Sequence, residues 1–332
     1  MIKSLITTSL TLSLGLQCLA NSANTTPKNE SKKEPAKESI SYFHSSYKAR
    51  TDRPGLIFLP SLGSWLLPGL GQYIQGNWQA GLTYSLSAAA GLSMYNAEED
   101  NVDHSISDPF RYFDENMQRR VIGSKTYDFA GSLSAYQSFR SRIKAYDNTG
   151  DFAFIEDSGN DEVGDIMLAP FDFSHIKKKT TWIPMLVILG LGSQFLASSE
   201  DTQDQSNDNN RPIGDASSLF SGSLLSYQAG VGEEALFRGF LQPYLRYKTK
   251  SNLYANISTS IIFGALHYSS DNPFPIAQAA MGYYLGWLTQ RNGWSIRESA
   301  FIHTWWDVVA ININIRKKDS SAIYLPALNL IF

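Results

Sequence analysis

Glu233, Glu234 and Arg238 stand within a six-residue window of an apolar segment that runs from Leu219 to Tyr247. Taking two carboxylates and a guanidinium out of water costs kilocalories for each group, so a segment with no use for them would not carry them. Their spacing divides the work. On a helix Glu234 and Arg238 are four residues apart and therefore neighbours, while Glu233 is turned by about 100° and left without that partner. Glu234 is expected to be half of an ion pair and Glu233 a free base. The plain alternative is a salt bridge that only ties two helices together.

Two histidines lie in later apolar segments, His267 in Leu253 to Tyr268 and His303 in Ser299 to Ile315. Phe263 precedes His267 by four residues and Asp307 follows His303 by four, so each imidazole shares a helix face with a ring or a carboxylate. Alone, either histidine suits packing as well as catalysis. Three segments that each contribute one costly titratable group satisfy those groups most cheaply by convergence. Peptide hydrolysis needs a base to take a proton from water and a donor for the oxyanion, and Glu233 with two imidazoles supplies both. Zinc held by Glu233, His267 and His303 is the nearby alternative, although the His-Glu-x-x-His helix pattern is absent. A serine mechanism has less support, because Ser221-Gly222-Ser223 has no well-placed histidine partner, and Gly214-Asp215 falls in a polar loop.

Glu-Glu-x-x-x-Arg, Phe-x-x-x-His and His-x-x-x-Asp, in that order on successive helices, resemble the CAAX prenyl protease and bacteriocin-processing family of intramembrane proteases over roughly residues 217–315. The resemblance implies an all-α fold, a polytopic membrane helical bundle with its polar site inside the membrane. It implies that Glu233 activates water, that Glu234 and Arg238 order the base, and that His267 and His303 hold the water and the oxyanion. Asp307 fills a position where many members have Asn. The family is described both as metalloproteases and as metal-free glutamate proteases; the metal-free form is the favoured reading here, with no cofactor. The function expected is an endopeptidase acting on a membrane-associated peptide or protein. A non-catalytic scaffold or immunity-type binder, and a proton-coupled transporter, are the competing classes.

The elements that must position these groups follow from how the chain is blocked. Of the 332 residues 43% are hydrophobic and 13% aromatic, but polar and apolar stretches alternate rather than mix, and the net charge of -3 gives no case for nucleic acid. Residues 1–20 resemble a secretory signal, with Lys3, an apolar run and Cys18-Leu19-Ala20 as cleavage site. Residues 21–55 are too polar to form a core and are expected to be an exported linker. Leu56 to Leu70, broken by Pro60, Gly63 and Pro68, is expected to be kinked or re-entrant. Residues 96–180 are expected to be a polar loop region, in which Ser132 to Tyr146 could form a basic amphipathic helix on a membrane surface or a small subdomain helix. His104 and His175 in that region are expected to be solvated.

Six spans are expected: Ala80 to Tyr95, Trp182 to Ala197, Leu219 to Tyr247, Leu253 to Tyr268, Phe274 to Gln290 and Ser299 to Ile315, with the acidic loop Glu200 to Asp215 between the second and third. Trp182, Trp287, Trp305 and Trp306 lie in or at the ends of these runs, as interface residues do. Ala279, Gly282 and Gly286 make a small-residue face for close helix contact. Each run is only marginally hydrophobic, as suits helices around a wet cavity. The expected surroundings are lipid and a membrane-bound substrate, in a bacterial inner membrane.

Overall fold

The computed structural model describes residues 55–97, 115–147, 149–198, 216–268 and 274–316. The signal, nearly all of the linker, His104 and the acidic loop lie outside the described residues. Within them the chain is helical, with no strand. A hairpin of α1 (Gly55–Leu66) and α2 (Leu70–Ile74) leads into α3 (Trp78–Ala97). Then come α4 (Glu115–Tyr146), the short α5 (Val163–Leu168), α6 (Lys179–Ser198) and α7 (Ala216–Leu236). A π-helical turn, Phe237–Leu241, joins α7 to α8 (Gln242–Thr249), followed by α9 (Asn252–Ala265), α10 (Ile276–Arg291) and α11 (Arg297–Arg316).

The largest departure from the sequence reading is α4. Instead of a polar loop with a surface helix, the chain forms a helix of 32 residues that packs on α1, α3 and α7. Val121, Ala130, Leu133, Tyr136 and Phe139 are buried along it, and so are Ser132, Ser134, Ser138, Arg140 and Arg142. Its low hydropathy misleads because several of its polar groups find partners inside the protein. Ser134 Oγ donates to Gln72 Oε1 at 2.8 Å, Gln72 Nε2 donates to the Ser134 carbonyl at 2.9 Å, and the Gly69 amide donates to Ser134 Oγ at 2.8 Å. These bonds fasten the hairpin onto α4. Gly69 makes the turn at φ 100, a conformation that favours glycine.

α4 and α7 run parallel, since their contacts climb both chains together. Ser221 Oγ donates to Gln118 Oε1 at 2.9 Å, Gln228 Nε2 donates to Thr126 Oγ1 at 3.0 Å, and Gly232 lies against Phe129. On its other side α7 meets α11 so closely that a Cβ on Gly230 would stand 2.3 Å from Thr304 Oγ1 and 2.5 Å from the Thr304 amide nitrogen. The small face of α10 is used as expected. Gly282 faces Phe263 and Arg238, Gly286 faces Asn256 and Gln242, and Ala279 meets Gly264.

Each of the six apolar runs is helical, but no described helix is long and apolar enough to cross a membrane. The hairpin helix α1, at 12 residues, is about 18 Å long. Trp182 and Trp287 are exposed as an interface position requires, whereas Trp306 is buried against Ile188 and Ala310, and Trp305 Nε1 donates to the Pro170 carbonyl at 2.9 Å. His175 is also buried rather than solvated, between Asp172 and the Phe301 ring. Burial pushes its imidazole below the usual histidine range.

Candidate active site

The pair expected from i, i+4 spacing is present. Arg238 Nη1 donates to Glu234 Oε1 at 2.8 Å, with both side chains fully buried, and Arg238 Nη2 donates to the Gly282 carbonyl at 3.0 Å. The guanidinium lies 4.5 Å over the Phe263 ring, so α7, α9 and α10 all close on it. Arg238 sits in the π turn. Pro243 has no N–H for the Gly239 carbonyl, and the helix widens in the turn before it.

Glu234 does more than pair. The same Oε1 accepts from His303 Nδ1 at 2.8 Å, so one carboxylate fixes both the arginine and the orientation of an imidazole from α11. Because a carboxylate accepts, Nδ1 of His303 carries a proton and Nε2 is the nitrogen turned to the site. His267 has the same arrangement by another route. Its Nδ1 is 2.7 Å from the Phe263 carbonyl, which can only accept, and its Nε2 is therefore the nitrogen left for chemistry.

Both Nε2 atoms converge on one oxygen. His267 Nε2 is 3.9 Å and His303 Nε2 is 3.8 Å from Glu233 Oε2. That oxygen is buried and makes no protein hydrogen bond. The separations are too long for direct hydrogen bonds and leave the three acceptor and donor atoms facing a common point. Asp307 Oδ2 stands 3.6 Å from His303 Nε2, so Asp307 joins the cluster as its spacing suggested, beside the nitrogen that faces Glu233. Phe263 walls the site, with its ring 4.5 Å from that of His267 and 5.9 Å from that of His303.

One expectation fails. Glu233 is not left without a cation: Lys125, on α4, places Nζ 3.6 Å from Glu233 Oε1. The sequence hid this residue in a stretch read as polar loop, more than a hundred residues before the glutamate. No pattern in the local sequence pairs it with Glu233. Among the described residues no group of three or more His, Cys, Asp or Glu side chains is arranged to hold a metal ion, and Glu233, His267 and His303 are no exception.

Glu233, Glu234, Arg238, His267, His303 and Asp307 are thus brought together from α7, the π turn, the turn after α9, and α11. Residues 215–309 match the Rce1-like family. The family's description is type II CAAX prenyl endopeptidase Rce1-like, and the match contains every one of these six residues while leaving out α4 and the hairpin. No curated protein and no solved structure is similar enough to match. The Rce1-like match accords with the resemblance read from the three motifs.

Proposed function

We propose that the protein is an intramembrane endopeptidase in which Glu233 activates a water molecule for attack on a peptide bond of a membrane-associated protein. The observation that carries this reading is the convergence of two imidazole Nε2 atoms, at 3.9 and 3.8 Å, on the unpartnered Oε2 of Glu233. A water between them can give one proton to the carboxylate and be held by the imidazoles, which is the geometry that base-assisted hydrolysis requires. As the carbonyl carbon becomes tetrahedral, an imidazolium Nε2–H is placed to meet the oxyanion, and His303 is the better supplied with counter-charge because Glu233, Glu234 and Asp307 all face it. The proton taken by Glu233 then passes to the leaving amine. Glu234 and Arg238 act by holding His303 and the turn of helix that carries the base.

Placement within lipid is supported by the surface. Leu82, Leu86, Leu186, Leu189, Leu253 and Ile261 are each about half exposed or more, on helices α3, α6 and α9, and large aliphatic side chains turned outward on several helices suit contact with lipid. The polar residues Ser87 on α3, Thr181 on α6 and Asn256, Thr259 and Ser260 on α9 are buried, while these aliphatic side chains face outward. A bilayer therefore contacts a more apolar protein than the helix averages suggest.

The test is a comparison of membrane proteomes from cells carrying wild type and Glu233→Gln. The proposal expects new protein termini that depend on Glu233. Identical sets of termini, with both proteins present at equal level, would favour the scaffold reading instead.

A further inference from the structure

We infer that Lys125 is a positioning residue for the base: its ammonium holds Oε1 of Glu233, so that Oε2 is the oxygen presented to His267, His303 and the water. The inference rests on the proposed role of Glu233 and adds to it a residue from outside the 215–309 match.

The two oxygens of Glu233 have separate surroundings. Oε1 faces Lys125 Nζ at 3.6 Å; Oε2 faces the imidazoles and makes no protein hydrogen bond. A carboxylate that met cations only through its imidazoles could rotate about its last bond and offer either oxygen to the water, because the torsion next to a planar carboxylate is broad. A cation fixed on one side removes that freedom. Lys125 is well placed to do so. Its side chain is 16% exposed and that of Glu233 is 21% exposed, so both charges are largely withdrawn from solvent and their attraction is little screened.

The lysine is also held in register. Gln118 and Thr126 on α4 accept from Ser221 and Gln228 on α7, one contact below Lys125 and one beside it, and Phe129 meets Gly232 one turn further on. Three contacts on one seam fix the height of Lys125 relative to Glu233. Of the other charged groups around the glutamate, Arg238 and Glu234 on its own chain segment and Asp307 on α11 are engaged with each other or with His303, and Asp128, three residues along α4, faces both Lys125 and Glu233. α4 thus supplies what the Rce1-like segment does not contain, a cation on the outer oxygen of its base.

Zero-length coupling tests the pair without needing a substrate. Dicyclohexylcarbodiimide activates a buried carboxyl group, and an amine within contact distance then displaces the urea to form an amide. Applied to the full-length protein in detergent, it should yield a Lys125–Glu233 cross-link, lighter than the two parent peptides by one water and absent from Lys125→Met and Glu233→Gln. Carbodiimide adducts on Glu233 with no link to Lys125 would overturn the inference. On a peptide spanning a Glu233-dependent cleavage site, Lys125→Met should lower kcat by about 10- to 100-fold with KM changed by less than about twofold, and Lys125→Arg should recover most of the loss. A Lys125→Met protein with wild-type kcat would refute positioning even if the cross-link forms. Wild-type turnover by Glu233→Gln, with the Lys125 link intact in the unmutated protein, would instead remove the underlying role of Glu233.

Discussion

At the scale of residues, the division of labour between the adjacent glutamates is the feature most open to test. Glu234 and Arg238 are fully buried and hydrogen-bonded to one another. Removing either charge leaves the other buried and unpaired, a loss of roughly 3 to 5 kcal/mol. Glu234→Gln and Arg238→Ala should therefore lower folded yield and the midpoint of thermal unfolding, whereas Glu233→Gln should leave both near wild type. If the Glu234 and Arg238 variants melt like wild type, the ion pair is not formed in the protein. The reading also commits the site to chemistry without zinc. Phenanthroline should leave proteolysis unchanged; stoichiometric zinc in the purified protein, lost in the His267→Ala, His303→Ala double variant, would assign these residues to a metal instead. Most of this site was legible in the sequence, because charges in apolar helices are costly and helical spacing says which of them meet. Lys125 was not legible, since no local pattern pairs a lysine with a glutamate on a distant helix.

At the scale of elements, the site depends on close approach of α7 to α11. The Thr304 backbone nitrogen is 2.5 Å from where a Cβ on Gly230 would lie, and a backbone atom cannot yield without moving the helix that carries His303. Gly230→Ala should destabilise the protein by about 1 to 3 kcal/mol, in the range of overpacked cores. It should also lower activity more than a distant change of equal cost, as measured by denaturation and turnover on the same preparations. The helices themselves were foreseen wherever they were apolar. α4 was not, because a hydropathy pattern reports side chains and cannot show that a serine or a glutamine will find partners on other helices. Ser134, bonded to both Gln72 and the Gly69 amide, is the clearest instance.

At the scale of the whole molecule, segments far apart in sequence gather at one end of the bundle. Lys250 Nζ is 3.2 Å from Asp151 Oδ1, and Ser158 Oγ donates to the Asn292 carbonyl at 3.3 Å. Ser158 and Thr249 should therefore lie on the same side of a membrane. In a Cys18→Ser background, single cysteines at the two positions should react alike with an impermeant maleimide in intact cells. A cysteine at Asn207, in the acidic segment between α6 and α7, is expected to label when they do not, if basic residues near Lys177 to Lys179 stay in the cytoplasm. Labelling at Ser158 but not Thr249 would contradict the fold.

The central claim, that Glu233 is the base, is tested most directly by turnover. Wild type and Glu233→Gln, matched for folded protein and reconstituted in lipid vesicles, are given a fluorogenic peptide that spans a cleavage site found in cells. The account predicts that the variant inserts and melts like wild type while its kcat falls by on the order of 100-fold or more. A Glu233→Gln protein that cleaves the peptide at the wild-type rate would contradict it.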